Sequence, residues 1–345
     1  MNSSTSLISD PGPLQPETIP LEFECRQQAL EQLKNRADSG RNIHLYGERG
    51  TGKTHLTLST LQSMDDVQTC YVDCRHCQTQ YQILQQILRK LTGEPVKDGL
   101  HTSTLQRRIE DRTTAVQTII VLDEIDFLLQ EDEDSTLYHL SRTSNPIHLV
   151  TISPNKTELQ DHLEERTYSS LQPQTIQLQP YTEDQTYQIL LQRAQKALKP
   201  QTLQKQALGK ITSQADDLKS GLHWLKAAAE TAENAVTVST VEQTREKAFK
   251  QHAQQLLQPF TQHHHLTHQA IKELHSELGT VTAGDVYQKY RELTDKHEID
   301  SLTDRRISDY LKHLELLDLI EAEYHYGGRK GKTREITVKR SVSNP

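Results

Sequence analysis

The chain has 345 residues, more than one domain of typical size holds, so two or three domains are expected. Its formal net charge of −8 argues against a uniformly basic nucleic-acid binder but leaves room for a local basic site. No apolar run approaches the roughly 20 residues of a membrane span, and the N-terminus lacks the layout of a secretory signal. We therefore expect a soluble cytoplasmic protein without a membrane partner.

The first 22 residues carry Ser, Pro and Gly without helical periodicity. Their four prolines predict an extended arm rather than a helix. A helix from about Phe23 to Ala37 follows, and a strand from Asn42 to Tyr46 comes next.

A phosphate-binding loop follows that strand. It reads Gly47, Glu48, Arg49, Gly50, Thr51, Gly52, Lys53, Thr54. This G-x-x-x-x-G-K-T pattern has the strand before it and the helix after it that the motif requires. Its backbone N–H groups and the helix N-terminus favour phosphate. Lys53 is expected to reach the β- and γ-phosphates of ATP, and Thr54 to bind Mg²⁺. The alternative is a glycine-rich turn that matches by chance.

Two residues beside the loop extend the expected nucleotide contacts. His55 follows the loop directly. Arg26 lies on the preceding helix, and a helix just before a phosphate loop often flanks the base. A solvated surface charge is the alternative for Arg26.

The second anchor is the apolar strand Thr118 to Leu122, which runs straight into Asp123 and Glu124. In a parallel sheet, this strand end and the phosphate loop share one edge. Asp123 would hold Mg²⁺, directly or through water, and Glu124 would polarise the attacking water as a general base. The alternative is a buried strand that ends in two solvated acids.

Two later residues are candidates for the γ-phosphate side of the site. The strand Ile147 to Ser153 ends near Asn155, whose amide can hydrogen-bond the γ-phosphate or the attacking water. Arg166 can serve as a finger across a subunit boundary, although a lone Arg is more often a surface charge.

Metal binding is the less favoured interpretation at two places. Cys74 and Cys77 have C-x-x-C spacing around His76, but no second ligand pair lies at suitable spacing, which favours reduced thiols. Residues His263 to His265 are adjacent, and three adjacent side chains cannot all face one ion on a helix.

The last 165 residues or so change from a purely helical pattern to a mixed one. Residues 181 to about 254 have the pattern of a small helical lid. Three further helices, Ala270–Leu278, Thr282–Thr294 and Thr303–Leu317, are followed by a glycine-rich hairpin. This order predicts a winged helix-turn-helix.

The winged helix carries the candidate DNA contacts. Thr303 caps the third helix and places Arg305 and Arg306 in its first turn, where a recognition helix meets bases and phosphates. The hairpin tip adds four cations and no acid: Arg329, Lys330, Lys332 and Arg334. Such a tip suits a DNA backbone or minor groove. The alternative is a solvated loop in a winged helix that docks on protein.

Together these motifs resemble the archaeal Orc1/Cdc6 family of DNA replication initiators, over nearly all of the chain from about Asp10 to Val338. Besides the phosphate loop and the basic wing, the strings that carry the resemblance are residues 71–75, 122–126, 152–155, 166–171, 217–222 and 301–308. The family has an α/β AAA+ P-loop ATPase domain with an all-α lid, followed by a C-terminal winged helix-turn-helix. We expect an arm at 1–22, the ATPase domain at 23–180, the lid at 181–255 and the winged helix at 256–345.

The resemblance also implies roles for particular residues. Asn155 corresponds to the family's sensor 1, and Arg166 to its arginine finger. Lys219 stands where the sensor 2 Arg is usual, and because Lys lacks the bidentate fork of Arg, weak lid closure is expected. A helical insertion that touches DNA is placed around residues 100–112, with Arg107 and Arg108 as candidates.

The function that the resemblance implies is ATP-regulated initiation of DNA replication. Such a protein would bind double-stranded origin DNA, self-associate on it and help to recruit the MCM helicase, using ATP and ADP with Mg²⁺ as a conformational switch and hydrolysing ATP slowly. Two alternatives stay open. A regulatory or plasmid-type paralogue would bind DNA without loading a helicase. A signalling, STAND-like AAA+ ATPase would dock its winged helix on protein and lack salt-dependent DNA binding.

Overall fold

The computed structural model describes residues 6–20, 25–77, 79–130, 134–154, 156–326 and 332–339. The chain forms two compact units. We call Gln15–Arg193 with Asp217–Lys219 the sheet unit, and Met1–Leu14, Ala194–Asp216 and Ser220–Pro345 the C-terminal unit. Over the described ranges, no helix combines the length and apolarity needed to cross a membrane.

A five-stranded parallel sheet forms the centre of the sheet unit. Its strands are β1 (Ile43–Tyr46), β2 (Gln68–Asp73), β3 (Thr118–Asp123), β4 (Ile147–Ser153) and β5 (Gln174–Gln177). The spatial order is β2-β3-β4-β1-β5. The interior strand β3 is buried at every position, as expected for a parallel strand covered on both faces. Register aligns Asp73 with Asp123, and Tyr46 with Ser153, so the carboxyl ends of neighbouring strands meet at one edge.

Helices surround this sheet. They are α1 (Gln27–Asp38), α2 (Lys53–Gln62), α3 (Gln80–Thr92), α4 (Thr102–Thr113), α5 (Asp126–Leu129), α6 (Ser135–Arg142), α7 (Lys156–His162), α8 (Glu165–Leu171) and the first part of α9 (Glu183–Ala197). Leu33 of α1 and Leu56 of α2 pack with Leu45 and Val121 of the sheet in one buried apolar cluster. This packing fixes the start of α2 against the ends of β1 and β3.

The C-terminal unit holds a helical segment and a winged helix. The elements are α10 (Lys205–Gln214), α11 (Leu218–Thr231), whose first residues belong to the sheet unit, α12 (Val238–Leu257), α13 (Gln262–Leu278), β6 (Val281–Thr282), α14 (Ala283–Lys296), α15 (Asp304–Leu316), β7 (Ile320–Tyr326) and β8 (Lys332–Val338). The indole of Trp224 on α11 donates to the Val241 carbonyl oxygen of α12 at 2.7 Å. The last three strands pair antiparallel in the order β6-β8-β7. The predicted fold class is therefore confirmed.

Three predicted elements differ in detail. The N-terminal arm is not extended throughout: Gly12–Leu14 form one turn of 3-10 helix, and Leu14 is fully buried. A single turn needs only the bond from the Leu14 N–H to the Pro11 carbonyl, which the prolines leave intact. Helix α13 begins at Gln262, eight residues before the predicted start. The predicted glycine-rich hairpin has longer strands than the predicted segments 319–322 and 335–338, because the pairing of β7 with β8 extends to Tyr326 and Lys332.

Candidate functional site

The phosphate-binding loop connects β1 to α2, and its backbone requires glycine at Gly47 and Gly52. Gly52 precedes the first residue of α2 with a φ of 89°, in the left-handed region. A Cβ on Gly47 would lie 2.1 Å from the Leu178 carbonyl oxygen. Side chains are therefore excluded where the loop turns, and a backbone cradle remains at the N-terminus of α2, as phosphate binding requires.

The remaining loop residues tie this cradle together. Thr51 is buried, and its hydroxyl donates to the Glu48 carbonyl oxygen at 2.8 Å. Gly50, with a φ of 74°, faces Asp217, whose Cβ would lie 2.5 Å from a Cβ on this glycine.

Lys53 and Thr54 begin α2 and point back to the loop and to β3. The Lys53 ammonium donates to the carbonyl oxygens of Gly47, at 2.5 Å, and Glu48, at 2.8 Å. Burial lowers the pKa of Lys53, although the carboxylates of Glu124 and Asp123 act to raise it. A half-buried ammonium on a backbone cradle can bind phosphate oxygens.

Asp123 ends β3 and is almost fully buried. Its Oδ2 accepts from the Thr54 hydroxyl at 2.6 Å and from the Tyr71 hydroxyl at 2.9 Å, and its Oδ1 accepts the Glu124 N–H at 2.9 Å. Burial, followed by the charge of Glu124, raises the pKa of Asp123. A buried carboxylate beside a threonine hydroxyl supplies the oxygen donors that Mg²⁺ prefers, so these residues fit a magnesium–nucleotide complex.

Glu124 forms a two-pronged ion pair with Arg49 of the loop. The two guanidinium nitrogens of Arg49 lie 3.0 and 2.8 Å from the two carboxylate oxygens. Burial acts to raise the pKa of Glu124, but Arg49, then Arg75 and Lys53, outweigh burial, and the pKa is lowered. The ionised carboxylate therefore persists at this strand end.

Two more cations interact with the carboxylates. Arg75, in the one-turn 3-10 helix Cys74–His76, pairs with Asp73 at 2.5 Å and interacts with Glu124 and Asp123. Lys219 lies in the first turn of α11; burial and then Arg75 lower its pKa, whereas Glu124 acts to raise it.

Arg75 and Tyr71 were missed by sequence reasoning. Tyr71 lies near the end of β2, which pairs with β3 at Asp123, and Arg75 follows β2 in the 3-10 helix. The available signal was the polar and charged residues at and just after the end of the β2 pattern.

Arg26 lies just before α1 and contacts the segment that follows β5. Its guanidinium donates to the Gln179 carbonyl oxygen at 2.5 Å and lies 4.0 Å from the centre of the Tyr181 ring. The Tyr181 hydroxyl would in turn lie 2.9 Å from a Cβ on Gly52. Arg26 is thus one side chain away from the phosphate loop.

His55 faces the N-terminal segment. Burial, followed by the charge of Arg193, lowers the pKa of His55, and a hydrogen bond with the backbone of Glu17 acts to raise it. Arg193 donates to the carbonyl oxygens of Gln15 and Thr18 at 3.3 and 3.0 Å. These contacts fix residues 15–18 beside the start of α2.

The structure does not bring every predicted residue to the site. Asn155 lies outside the described residues. Arg166 on α8 is exposed; it pairs with Glu164 at 2.5 Å and lies 5.0 Å from the Tyr138 ring centre. Its role as a finger stays a prediction, because a finger acts on a neighbouring subunit.

Arg305 and Arg306 are exposed in the first turn of α15. The Thr303 side chain accepts the Arg306 N–H at 3.5 Å, as predicted for the cap. Ile307 and Leu311 are fully buried, which turns the arginines outward.

The wing is described only in part. Arg329 and Lys330 lie outside the described residues, and so does the side chain of Lys332. Arg334 differs from an exposed tip residue: it is 7% exposed and donates to Glu315 of α15 at 2.6 Å. Its charge is held inside the winged helix.

Arg107 and Arg108 on α4 are exposed, while Leu105 and Ile109 beside them are fully buried. The two arginines therefore lie on the outer face of α4, where a contact with a macromolecule is sterically open.

No cluster of three metal-ligating side chains occurs in the described part of the chain. Cys74 and Cys77 are buried free thiols, and burial raises the pKa of both, for Cys77 to about 11. His264 is buried and lies 3.0 Å, Nε2 to Nδ1, from His313. The observed geometry thus favours reduced thiols and packed histidines.

A parallel-sheet phosphate-loop domain with a helical segment and a winged helix defines a class of AAA-type ATPases with a DNA-binding module. Family models agree: a model described as "AAA domain" matches residues 35–160, and one described as "CDC6, C terminal winged helix domain" matches residues 255–344.

Curated relatives extend the agreement to almost the whole chain. The ORC1-type DNA replication protein of Thermococcus onnurineus is 30% identical, over 92% of this chain and 85% of the relative. ORC1-type DNA replication protein 1 of Sulfolobus acidocaldarius is 29% identical, over 94% and 88%. The chain belongs to the archaeal Orc1/Cdc6 family of DNA replication proteins.

Solved structures of this family share the fold. The Aeropyrum pernix ORC1 protein in complex with DNA superposes with a TM-score of 0.75 at 27% identity, covering 99% of this chain and 96% of that one. The Aeropyrum pernix ORC2 protein, in ADPNP-ADP complexes, gives a TM-score of 0.60 at 21% identity, covering 98% and 95%; at that identity it shows the fold alone.

Proposed function

We propose that this protein is an ATP-dependent DNA-binding replication initiator, which recognises origin DNA and helps to recruit the MCM helicase. The observation that carries the proposal is the convergence of Lys53, Thr54, Asp123 and Glu124 at one sheet edge, in a chain that also presents Arg305 and Arg306 on a winged helix. Curated relatives named as DNA replication proteins, and a family structure that contains DNA, support the same function.

Each nucleotide-site residue has a proposed task. Lys53 and the loop backbone hold the phosphates, and Thr54 and Asp123 hold Mg²⁺, which supplies charge neutralisation between the phosphates. Glu124 orients the attacking water and takes its proton on the carboxylate. Lys219 contributes a point charge from α11. We propose that Asn155 and Arg166 act on the γ-phosphate as sensor and finger, with Arg26 and His55 flanking the bound nucleotide.

Hydrolysis is proposed to be slow. Glu124 is engaged by Arg49, so it must leave that pair before it can accept a proton. Lys219 cannot make the bidentate contact of an arginine. The nucleotide therefore acts as a conformational switch between ATP and ADP states more than as a source of repeated work.

DNA binding is proposed to involve both units. Arg305 and Arg306 approach bases and phosphates from α15, and the wing residues Arg329, Lys330 and Lys332 track the backbone. Arg107 and Arg108 add a contact from the sheet unit. Self-association on DNA would allow Arg166 to reach a neighbouring nucleotide site, and the assembled protein would recruit the MCM helicase.

The testing experiment is a footprint of the full-length protein on fragments spanning the DNA next to its own gene. It is run with ATP, with ADP and without nucleotide, across a series of salt concentrations. We expect discrete protected repeats whose extent differs between ATP and ADP. Diffuse protection that vanishes with moderate salt and ignores nucleotide would contradict the initiator function.

A further inference from the structure

Arg49 occupies a loop position at which the phosphate-loop pattern accepts any residue, and here it forms an ion pair with Glu124. Its guanidinium meets both oxygens of the Glu124 carboxylate, at 3.0 and 2.8 Å. The side chains are 18% and 23% exposed, so water screens this pair less than a surface ion pair. The proposed base and the phosphate loop are thereby joined by a single arginine.

Two other cations lie near Arg49. Burial is the main cause that lowers the pKa of Lys53 and of Lys219, and repulsion from Arg49 adds to it, so Arg49 acts on both lysines. Such a cluster is stable only while anions lie among its members. Glu124 acts on both lysines, Asp123 and Asp126 act on Lys53, and Asp217 acts on Lys219.

A nucleotide brings a second anion of matching geometry. A planar guanidinium binds a carboxylate or a phosphate with the same pair of parallel hydrogen bonds. A triphosphate carries one more charged group than a diphosphate, and Lys53 is the residue that reaches this end of the chain of phosphates. Glu124 occupies the Nη1/Nη2 edge of the Arg49 guanidinium, so a phosphate that binds this edge displaces the carboxylate.

Glu124 is suited to release because only its side chain has to move. Its backbone has a φ of 53°, in the left-handed region that residues with a Cβ seldom adopt. The Glu124 N–H is held by the Asp123 carboxylate at 2.9 Å. The backbone therefore stays fixed while the carboxylate exchanges partners.

We propose that Arg49 detects the terminal phosphate of the bound nucleotide: its guanidinium releases the Glu124 carboxylate and binds that phosphate instead. This inference rests on the proposed nucleotide function. With a triphosphate, Arg49 binds the terminal group and Glu124 is released to act on water. With a diphosphate, the Arg49–Glu124 pair persists and the carboxylate stays restrained. Arg49 is thus a specificity-determining residue that couples the state of Glu124 to the identity of the nucleotide.

The test is an equilibrium binding titration of the full-length protein with a non-hydrolysable ATP analogue and with ADP, both with Mg²⁺. Arg49→Ala should weaken analogue binding about tenfold more than ADP binding, because one charge-assisted contact is lost. Arg49→Lys, which keeps the charge without the fork, should fall between Ala and wild type. Arg41→Ala, at an exposed arginine before β1, is the matched control and should change neither affinity.

A double-variant cycle provides the decisive comparison. Glu124→Gln removes the charge that competes for Arg49. As a single variant it should raise the affinity for the analogue several-fold, and in combination with Arg49→Ala it should have no such effect. Thermal unfolding of the nucleotide-free variants checks that each is folded. The shifts in unfolding midpoint should be non-additive for the two substitutions, because Arg49 and Glu124 form an ion pair.

Two results would overturn the exchange. One is an unchanged preference for the analogue over ADP in Arg49→Ala; the other is an equal effect of Glu124→Gln with and without Arg49. A wild-type protein that binds neither nucleotide would instead contradict the proposed nucleotide function, so the two failures are distinguishable.

Discussion

The sheet unit and the winged helix both carry cations at their candidate sites, but they hold them in opposite ways. Arg49 and Lys53 lie among carboxylates and backbone oxygens, and each already has hydrogen-bond partners. Arg305 and Arg306 lie exposed in the first turn of α15. We expect half-buried cations with partners to select one anion by exchange, and exposed cations to bind several phosphates with an affinity that depends on salt.

Arg334 shows that the difference does not simply follow the unit boundary. It belongs to the winged helix, yet its guanidinium is buried and pairs with Glu315. An arginine in this position stabilises the domain more than it attracts DNA. Charge alone therefore does not identify a contact, and burial decides between the two roles.

The largest effect is expected for Lys53→Ala. The variant should weaken ATP and ADP binding by about 100-fold or more, which corresponds to about 3 kcal/mol, because the phosphates lose their buried ammonium. Calorimetric titration measures this directly. Lys34→Ala, on the exposed face of α1, is the control. An unchanged affinity in Lys53→Ala would remove the basis for a phosphate loop.

A smaller effect concerns buried histidines of the winged helix. His264 and His313 hydrogen-bond each other at 3.0 Å, and the His264 ring stacks on Tyr310 with centres 3.7 Å apart. Burial lowers the pKa of His264 to about 3 and that of His313 to about 4. Among the charged neighbours of His313, Asp309 acts to raise this pKa, and Arg306 and Lys312 act to lower it.

The sign of the pH effect follows from these directions. The folded state favours neutral histidines, so their stabilisation is full above the unfolded pKa of about 6.5 and is lost as pH falls towards 4. The winged helix should lose about 4 kcal/mol between pH 7 and pH 5, about half of it from each histidine. Hydrogen exchange of amides in α13 and α15, corrected for intrinsic rates, measures the loss. His313→Phe should reduce it, and an equal loss in that variant would assign it to other groups.

The fold and the positions of the candidate nucleotide-binding residues were predictable because the sequence patterns that indicate them are local. The spacing from Gly47 to Thr54 and the apolar run before Asp123 specify strand, loop and helix without knowledge of tertiary contacts. The partners of these residues were not predictable. Arg49 meets Glu124 across 75 positions of sequence, and Tyr71 meets Asp123 across 52. No local pattern encodes such pairs.

The winged helix shows the same limit. Exposure of Arg305 and Arg306 follows from the period of α15, since Ile307 and Leu311 fill the buried face. Burial of Arg334 depends on how β8 packs beside α15, which a run of cations and glycines does not reveal. The composition of the hairpin therefore predicts that Arg334 is available to DNA, whereas in the structure its side chain is buried.

The central claim is that the exposed cations of α15 bind DNA, whereas the cations of the phosphate loop bind nucleotide. Its most direct test is to measure the DNA affinity of the double variant Arg305→Ala/Arg306→Ala as a function of salt concentration. The control, Lys34→Ala/Lys199→Ala, removes two exposed charges elsewhere. We predict that the arginine variant lowers the salt slope by about 2, one for each phosphate contact, and weakens DNA binding about tenfold or more, while ATP affinity stays unchanged. The control should change neither quantity. Unchanged DNA affinity and slope in the arginine variant would contradict the assignment of α15 as the DNA-binding element.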